Sequence, residues 1–429
     1  MDRRKFFKLC SLAGLGVVSL GVPGAIQLAR AESPKLWVFV NAGGGWDPTM
    51  LCDPKGDARN SKGFNVNNFK ADQILSAGPI KYPDIGNNKA FFERFSDITT
   101  VINGIDCETN GHDSGSRNTF SGRLNINTPA LPALIALALN PKLPMSFITN
   151  GGYDDTDGTI ASTRLSGGGN ALNGLIHPNL ISVNQNDFDA SPKFLETAAL
   201  DLVTQARDER LMSLQKAQNL PRHQSAMSLL YTSRVGMSDL KKIQEELDVI
   251  KSKIDFNSYG SGEGLARQAY VAIAAYKAGL TQSVNLSVGG FDTHANHDNQ
   301  QQNAQDALRS GVMALYDIAE VAGCADEMFV VVGSDFGRTP AYNPGNGKDH
   351  WSVGSMMLMS PHIKGKRVIG ATNEFFDYEK IDLAKLAVGG KDVLKMGHIH
   401  KWLRTFAGID EHEIVRRYPI SVKGDIDLA

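Results

Sequence analysis

The densest supply of chemistry in this chain is the segment Asp292-Thr293-His294-Ala295-Asn296-His297-Asp298, two imidazoles and two carboxylates within seven residues. The whole chain has only ten histidines. Neutral imidazole and carboxylate together suit Zn²⁺ or Mn²⁺ better than Mg²⁺ or Ca²⁺, so Asp292, His294 and His297 read as ligands for one or two divalent ions. A second concentration lies in Gly333-Ser334-Asp335-Phe336-Gly337-Arg338-Thr339-Pro340 and, shortly after, Lys348-Asp349-His350-Trp351. There Asp335 and His350 are further candidate ligands. Arg338 offers a planar fork for a tetrahedral oxyanion, or else pairs structurally with a nearby aspartate.

Two other segments carry one candidate each. In Asn41-Ala42-Gly43-Gly44-Gly45-Trp46-Asp47-Pro48, Asp47 is the only carboxylate. It reads as a ligand or as the cap of a Gly-rich turn; no Lys-Ser/Thr pair follows to make a phosphate loop. In Gly111-His112-Asp113-Ser114-Gly115-Ser116-Arg117, Ser114 could become a nucleophile if a metal lowers its pKa, or the stretch is a plain polar loop. It does not match the G-x-S-x-G of a Ser-His-Asp hydrolase. His398 and His400 read as surface histidines or, alternatively, as metal ligands on alternate residues of a strand.

What must position these groups is a set of apolar runs, because each group follows one. Leu36 to Val40, Ile98 to Ile102, Val284 to Val288, Met328 to Val332 and Met356 to Met359 read as strands, with helical patterns such as Ala304 to Ala322 between them. Such alternation predicts an α/β fold with a mostly parallel sheet, whose ligands bind beyond the carboxyl ends of the strands. The first run and the last two are continuously apolar, as central parallel strands are. From 191 to about 256 the chain reads as a polar helical insertion, opened by Ser191-Pro192 and closed by a flexible loop from Asn257 to Gly264. Within it Leu240, Ile243, Leu247, Ile250 and Ile254 form a narrow apolar stripe. That stripe packs on the sheet domain or, alternatively, contacts a partner as a coiled coil.

Composition sets the class. Across 429 residues, 42% are apolar, 21% charged and the net charge is −2, the profile of a globular protein with no basic excess for nucleic acid. Residues 1–31 read as a leader. Arg3-Arg4 precedes an uncharged stretch, and Ala29-Arg30-Ala31 has the form of a signal-peptidase site. The pattern predicts twin-arginine export to the periplasm or beyond, with residues 32–429 as the mature chain. Removing five basic residues and one acid from totals of 44 and 46 leaves a net charge of −6. Of the remaining cysteines, Cys52 and Cys107 each follow a strand-like run; in a parallel sheet the two positions could be neighbours, which makes them candidates for a disulfide in an oxidising compartment.

Asp47, Ser114, Asp292/His294 and Asp335/His350, in this order, resemble the alkaline phosphatase and sulfatase superfamily. The blocks Gly-Gly-Phe-Asp-Thr-His, Ser-Asp-Phe-Gly-Arg-Thr-Pro and Lys-Asp-His-Trp, with the twin-arginine leader, resemble a secreted, sulfatase-like bacterial family of unknown function. The resemblance implies a three-layer α/β/α sandwich with a two-metal centre. Asp47 and Asp335 would bind one ion, which also touches Ser114; Asp292, His294 or His297, and His350 would hold the other. Phe336 stands where the active phosphatases have a histidine. The Ser114 block also lacks the proline of formylglycine-dependent sulfatases, which disfavours that chemistry. The resemblance leaves two expectations. One is an exported, metal-dependent hydrolase of phosphate or sulfate esters, small-molecule or glycan, marked by two bound ions. The other is an inactive, metal-stabilised binding or assembly protein, marked by one ion or none.

Overall fold

The computed structural model describes residues 34–56, 62–164, 179, 181, 191–224, 226, 227, 230 and 241–429. The leader expected at 1–31, and Leu240 of the apolar stripe, lie outside them. In chain order the elements are β1 (Leu36–Ala42), β2 (Ile74–Ala77), β3 (Ile80–Pro83), α1 (Asn88–Phe95), β4 (Thr99–Asp106), α2 (His112–Ser121) and α3 (Leu131–Leu139). Then come β5 (Phe147–Thr149), β6 (Ser162–Arg164), α4 (Thr197–Lys216), α5 (Lys241–Lys251), α6 (Glu263–Lys277), β7 (Ser283–Val288) and α7 (His297–Val321). The last part holds β8 (Met328–Ser334), β9 (Gly337–Arg338), β10 (His350–Trp351), β11 (Val353–Met359), β12 (Arg367–Ile369) and α8 (Met396–Phe406).

Eight strands form one sheet in the order β12-β4-β11-β8-β1-β7-β5-β6. β1 at its centre is parallel to both β7 and β8. Each strand side chain alternates between faces, and β1 shows the result. Leu36, Val38 and Val40 enter one core with Phe91 of α1, Leu265 of α6 and Leu308 of α7. Trp37 and Phe39 enter the other with Phe120 of α2, Leu134 of α3 and Leu403 of α8. This is the expected three-layer α/β/α sandwich.

Several expectations need correction. β11 pairs antiparallel with both neighbours, so the apolar run at Met356 is not a parallel strand. Apolarity reports burial on both faces and carries no direction. The first helix of the insertion starts at Thr197, not at Ser191-Pro192. A later helix of the insertion, α5, buries Ile243, Leu247 and Ile250 in the first core, and Ile254 packs beside them, so the stripe belongs to the domain's own packing. The stretch expected as a flexible loop is a 3₁₀ turn over Phe256–Gly262, where the Asp255 carboxylate accepts the Asn257 N–H at 3.0 Å, running straight into α6. His398 and His400 are on helix α8, not a strand, and both are buried. Cys52 and Cys107 are free and buried, without the disulfide.

Candidate metal centre

The carboxyl ends of β1, β4, β7 and β8 deliver their loops to one edge of the sheet. β1 leads into the glycine loop, where the N–H groups of Gly45 and Trp46 donate to Ser334 Oγ and that of Gly44 to Asp335 Oδ2. Gly44 has φ +120°, and a Cβ there would lie 2.6 Å from the Asp292 nitrogen, so glycine is what lets the loop press on the β7 segment. Arg338 on β9 is paired in register with His350 on β10, which fixes the imidazole beside the same loop.

Four side chains converge there. His294 Nε2 lies 3.0 Å from Asp292 Oδ1 and 3.0 Å from His350 Nε2, and His350 Nε2 is 3.2 Å from the same oxygen. His112 Nε2 approaches the other oxygen, Oδ2, at 3.5 Å. The far nitrogen of each ring is held. His294 Nδ1 is 2.8 Å from Asp349 Oδ1, His112 Nδ1 2.8 Å from Asp335 Oδ2, and His350 Nδ1 2.8 Å from the Asn110 carbonyl. A carbonyl or carboxylate oxygen accepts, so each Nδ1 donates and each neutral ring turns its Nε2 lone pair toward Asp292. Three lone pairs and a carboxylate facing one another without intervening protons is a donor set for a cation. Two ligands at about 2.0–2.1 Å in a tetrahedron sit roughly 3.3 Å apart, close to the spacings here. The second layer of Asp349, Asp335 and a carbonyl is what metal-bound imidazoles carry. Among the described residues, His112, Asp292 and His350 form a group able to hold a metal ion, with ligand atoms within 4.8 Å of one another.

Partial burial works to raise the Asp292 carboxyl, but the hydrogen bond and charge of Arg338 outweigh it and hold it at about 2. Burial pushes the Asp335 carboxyl up, against the lowering by His112 and the Gly44 N–H. Phe336, itself buried, lies under two of the rings, with centroids 5.0 Å from His112 and 4.5 Å from His350.

The remaining candidates lie elsewhere. Asp47 and His297 form a separate, wholly buried cluster with Lys348. Asp47 Oδ1 accepts the Thr49 N–H at 2.9 Å and the Thr49 hydroxyl at 2.7 Å. Its Oδ2 takes His297 Nε2 at 2.8 Å and Lys348 Nζ at 2.6 Å. That uses the carboxylate's roughly four lone-pair directions, so Asp47 keeps none for a metal. Burial would raise its pKa, yet Lys348 and His297 hold it far below the carboxylate range. Arg338 has no exposed surface. It donates to Gly45 O, Gly44 O, Lys348 O, Phe291 O and Asp292 Oδ1, so the structural pairing replaces the oxyanion role. Ser114 is in the first turn of α2, with its hydroxyl on the Gly111 carbonyl and on Thr109 Oγ1 at 2.6 Å, outside the imidazole cluster. Asp335 joins the site as the carboxylate behind His112.

Sequence reasoning missed His112 as a member of the cluster, and Asp349 and Asn110 as the supports of His294 and His350. The available signal was position: His112 opens a helix just beyond β4, as Asp292 follows β7 and Asp335 follows β8.

The fold and this cluster define an α/β/α protein with a candidate divalent-metal centre at the strand ends. The chain belongs to the family described as "Protein of unknown function (DUF1501)", which matches residues 34–387. No curated protein matches it. Among solved structures it is similar to a sulfatase from Pseudoalteromonas sp., at 8% identity, covering 93% of this chain and 71% of that one with a TM-score of 0.37. It is also similar to a 2-O GAG sulfatase, at 9% identity over 90% and 72% of the two chains, with a TM-score of 0.36. These are likenesses of fold alone.

Proposed function

We propose that the chain is an exported hydrolase of sulfate or phosphate esters built on a single divalent-metal centre, Zn²⁺ or Mn²⁺. The observation that carries this is the convergence of three Nε2 atoms on Asp292, each ring braced at Nδ1. Asp292, His294 and His350, tightest around Oδ1, would hold the ion; bound there, it supplies Lewis-acid polarisation of the ester and of water. His112 stands apart, on the other carboxylate oxygen, with Asp335 behind it. Its Nε2 takes a proton from the attacking water and returns it to the leaving oxygen, while Asp335 fixes the orientation of the ring. Arg338 orients Asp292 from behind. Export rests on Arg3-Arg4 and Ala29-Arg30-Ala31.

The test is turnover of aryl sulfates, aryl phosphates and phosphodiesters by the protein loaded with Zn²⁺ or Mn²⁺. Activity on one ester class that disappears in Asp292→Ala supports the proposal, and no turnover above that control on any class sinks it. The second reading, a metal-stabilised binding protein, is favoured by Ser114 and Arg338 being committed to other partners. Four protein ligands make a closed structural site, whereas three leave a position for substrate. His112→Asn separates the two: retained metal with lost turnover marks the enzyme, and lost metal marks the closed site.

A further inference from the structure

Away from the imidazole cluster, a cleft of about 730 Å³ opens between the end of α2 and the start of α8. Arg123, Lys391 and Lys423 line it, and none of them makes an ion pair among the described residues. The other lining cation, Lys395, is neutralised by Glu108 at 2.6 Å, and with the second lining carboxylate, Asp392, the four cations leave a net of two positive charges. Asn125 and Ser421 add neutral polar side chains, and the first turn of α8, with Gly397 and His398, forms part of the wall.

A second observation points the same way. Pro419 and Ile420 separate this cleft from a smaller one of about 250 Å³ lined by Arg404. Arg404 is only 5% exposed, and its Nε and Nη2 have no hydrogen-bond partner. Burial, and after it the charge of Arg123, pull its guanidinium down to about 10. A buried arginine without a carboxylate, beside a second arginine, is a costly arrangement that a bound anion relieves. The chain as a whole carries a small net negative charge, so this concentration of positive charge is local.

We infer that this cleft binds an acidic saccharide, with Arg123, Lys391 and Lys423 receiving its sulfate or phosphate groups and the asparagine and serine side chains meeting its hydroxyls. Guanidinium and ammonium groups suit tetrahedral oxyanions, and the cleft is far larger than a lone sulfate requires. α2 runs from His112 beside the metal centre to the turn before Arg123, roughly 15 Å at helical rise. One acidic oligosaccharide of a few units is long enough to span both places, but binding at the cleft does not depend on hydrolysis.

The experiment is calorimetric titration of the purified protein with a heparin-derived tetrasaccharide, its desulfated counterpart and inorganic sulfate. The sulfated tetrasaccharide should bind at least tenfold more tightly than either of the others. Lys391→Glu/Lys423→Glu, at two exposed positions, should weaken it at least tenfold with an unchanged melting temperature, and Arg123→Ala should weaken it alone. Asp292→Asn, which damages the metal centre, should leave this binding in place. Unchanged affinity in the charge-reversed variant overturns the inference, as does equal affinity for the desulfated sugar. Loss of binding in Asp292→Asn alone would move the saccharide to the metal centre and equally overturn it. An inactive protein that still binds through the cleft refutes the proposed hydrolase while leaving this inference standing.

Discussion

Two Asp–His clusters sit at the same edge of the sheet and have opposite characters. Around Asp292 the carboxylate is half exposed and three imidazoles present lone pairs to it. Around Asp47 the carboxylate is wholly buried, and an internal ammonium, Lys348, supplies the positive charge at 2.6 Å. The residue types are alike, and each carboxylate has one internal cation, Lys348 or Arg338; what differs is whether the protein's own donors saturate the carboxylate. A carboxylate already matched by a lysine and saturated with hydrogen bonds is part of the framework. One that takes a single guanidinium, from Arg338, and otherwise faces three imidazoles while half exposed has room for a further cation, and that room is what makes it a site.

The largest effect should come from breaking the buried cluster. Lys348→Met strands the Asp47 charge and should cost about 3–5 kcal/mol in urea denaturation. The double variant Asp47→Asn/Lys348→Met should be markedly less destabilised than the sum of its single changes, because the coupling is between these two groups. By contrast His350→Ala, half-buried at the surface, should cost no more than about 1 kcal/mol in metal-free protein. If His350→Ala proves as damaging as Lys348→Met, the contrast between framework and site fails.

That contrast was only partly legible in the sequence. The strands at Leu36 and Met328 were readable because burial on both faces writes a continuous apolar run, and the strand ends then located Asp47, Asp292 and Asp335. His294 and His297, three residues apart, looked interchangeable. The structure separates them because α7 begins at His297, after Asn296 in the left-handed region, which turns His297 inward onto Asp47 while His294 stays on the open loop. Lys348 beside Asp349-His350 gave no sign that its ammonium would be buried, since only the pairing of β9 with β10 brings that segment over Asp47. His400 was misplaced for a similar reason. Met396, Ile399, His400 and Leu403 share one helical face that packs into the second core, a spacing that a short strand reading hides.

An intermediate effect is expected at the layer behind the imidazoles. Asp349→Asn keeps the shape but weakens the hold on His294 Nδ1, and metal affinity measured by competition with a chelator should fall roughly 10–100-fold. No change would mean that His294 is not a ligand.

An effect absent at neutral pH concerns a histidine with neither a carboxylate nor a metal role. Burial lowers His400 to about 3, against the smaller opposing pull of its Nε2–H bond to the Thr119 carbonyl at 2.8 Å. Between about pH 6.5 and 3 the unfolded chain binds a proton that the folded chain refuses. Stability from this group is therefore complete above pH 6.5 and falls as pH drops, by up to about 1.4 kcal/mol per pH unit. His400→Gln, which keeps a donor for Thr119, should flatten that part of the stability–pH curve; an unchanged slope would show that the ring is protonated in the fold.

The central claim is that one of the two clusters takes a metal and the other is saturated by the protein's own donors. Elemental analysis of the protein purified from its own host, beside His294→Ala/His350→Ala and Asp47→Asn/Lys348→Met, tests it directly. The account predicts one divalent ion per chain, lost in the first variant and kept in the second. Two ions per chain, or an ion that survives removal of both imidazoles and vanishes with Asp47, would contradict it.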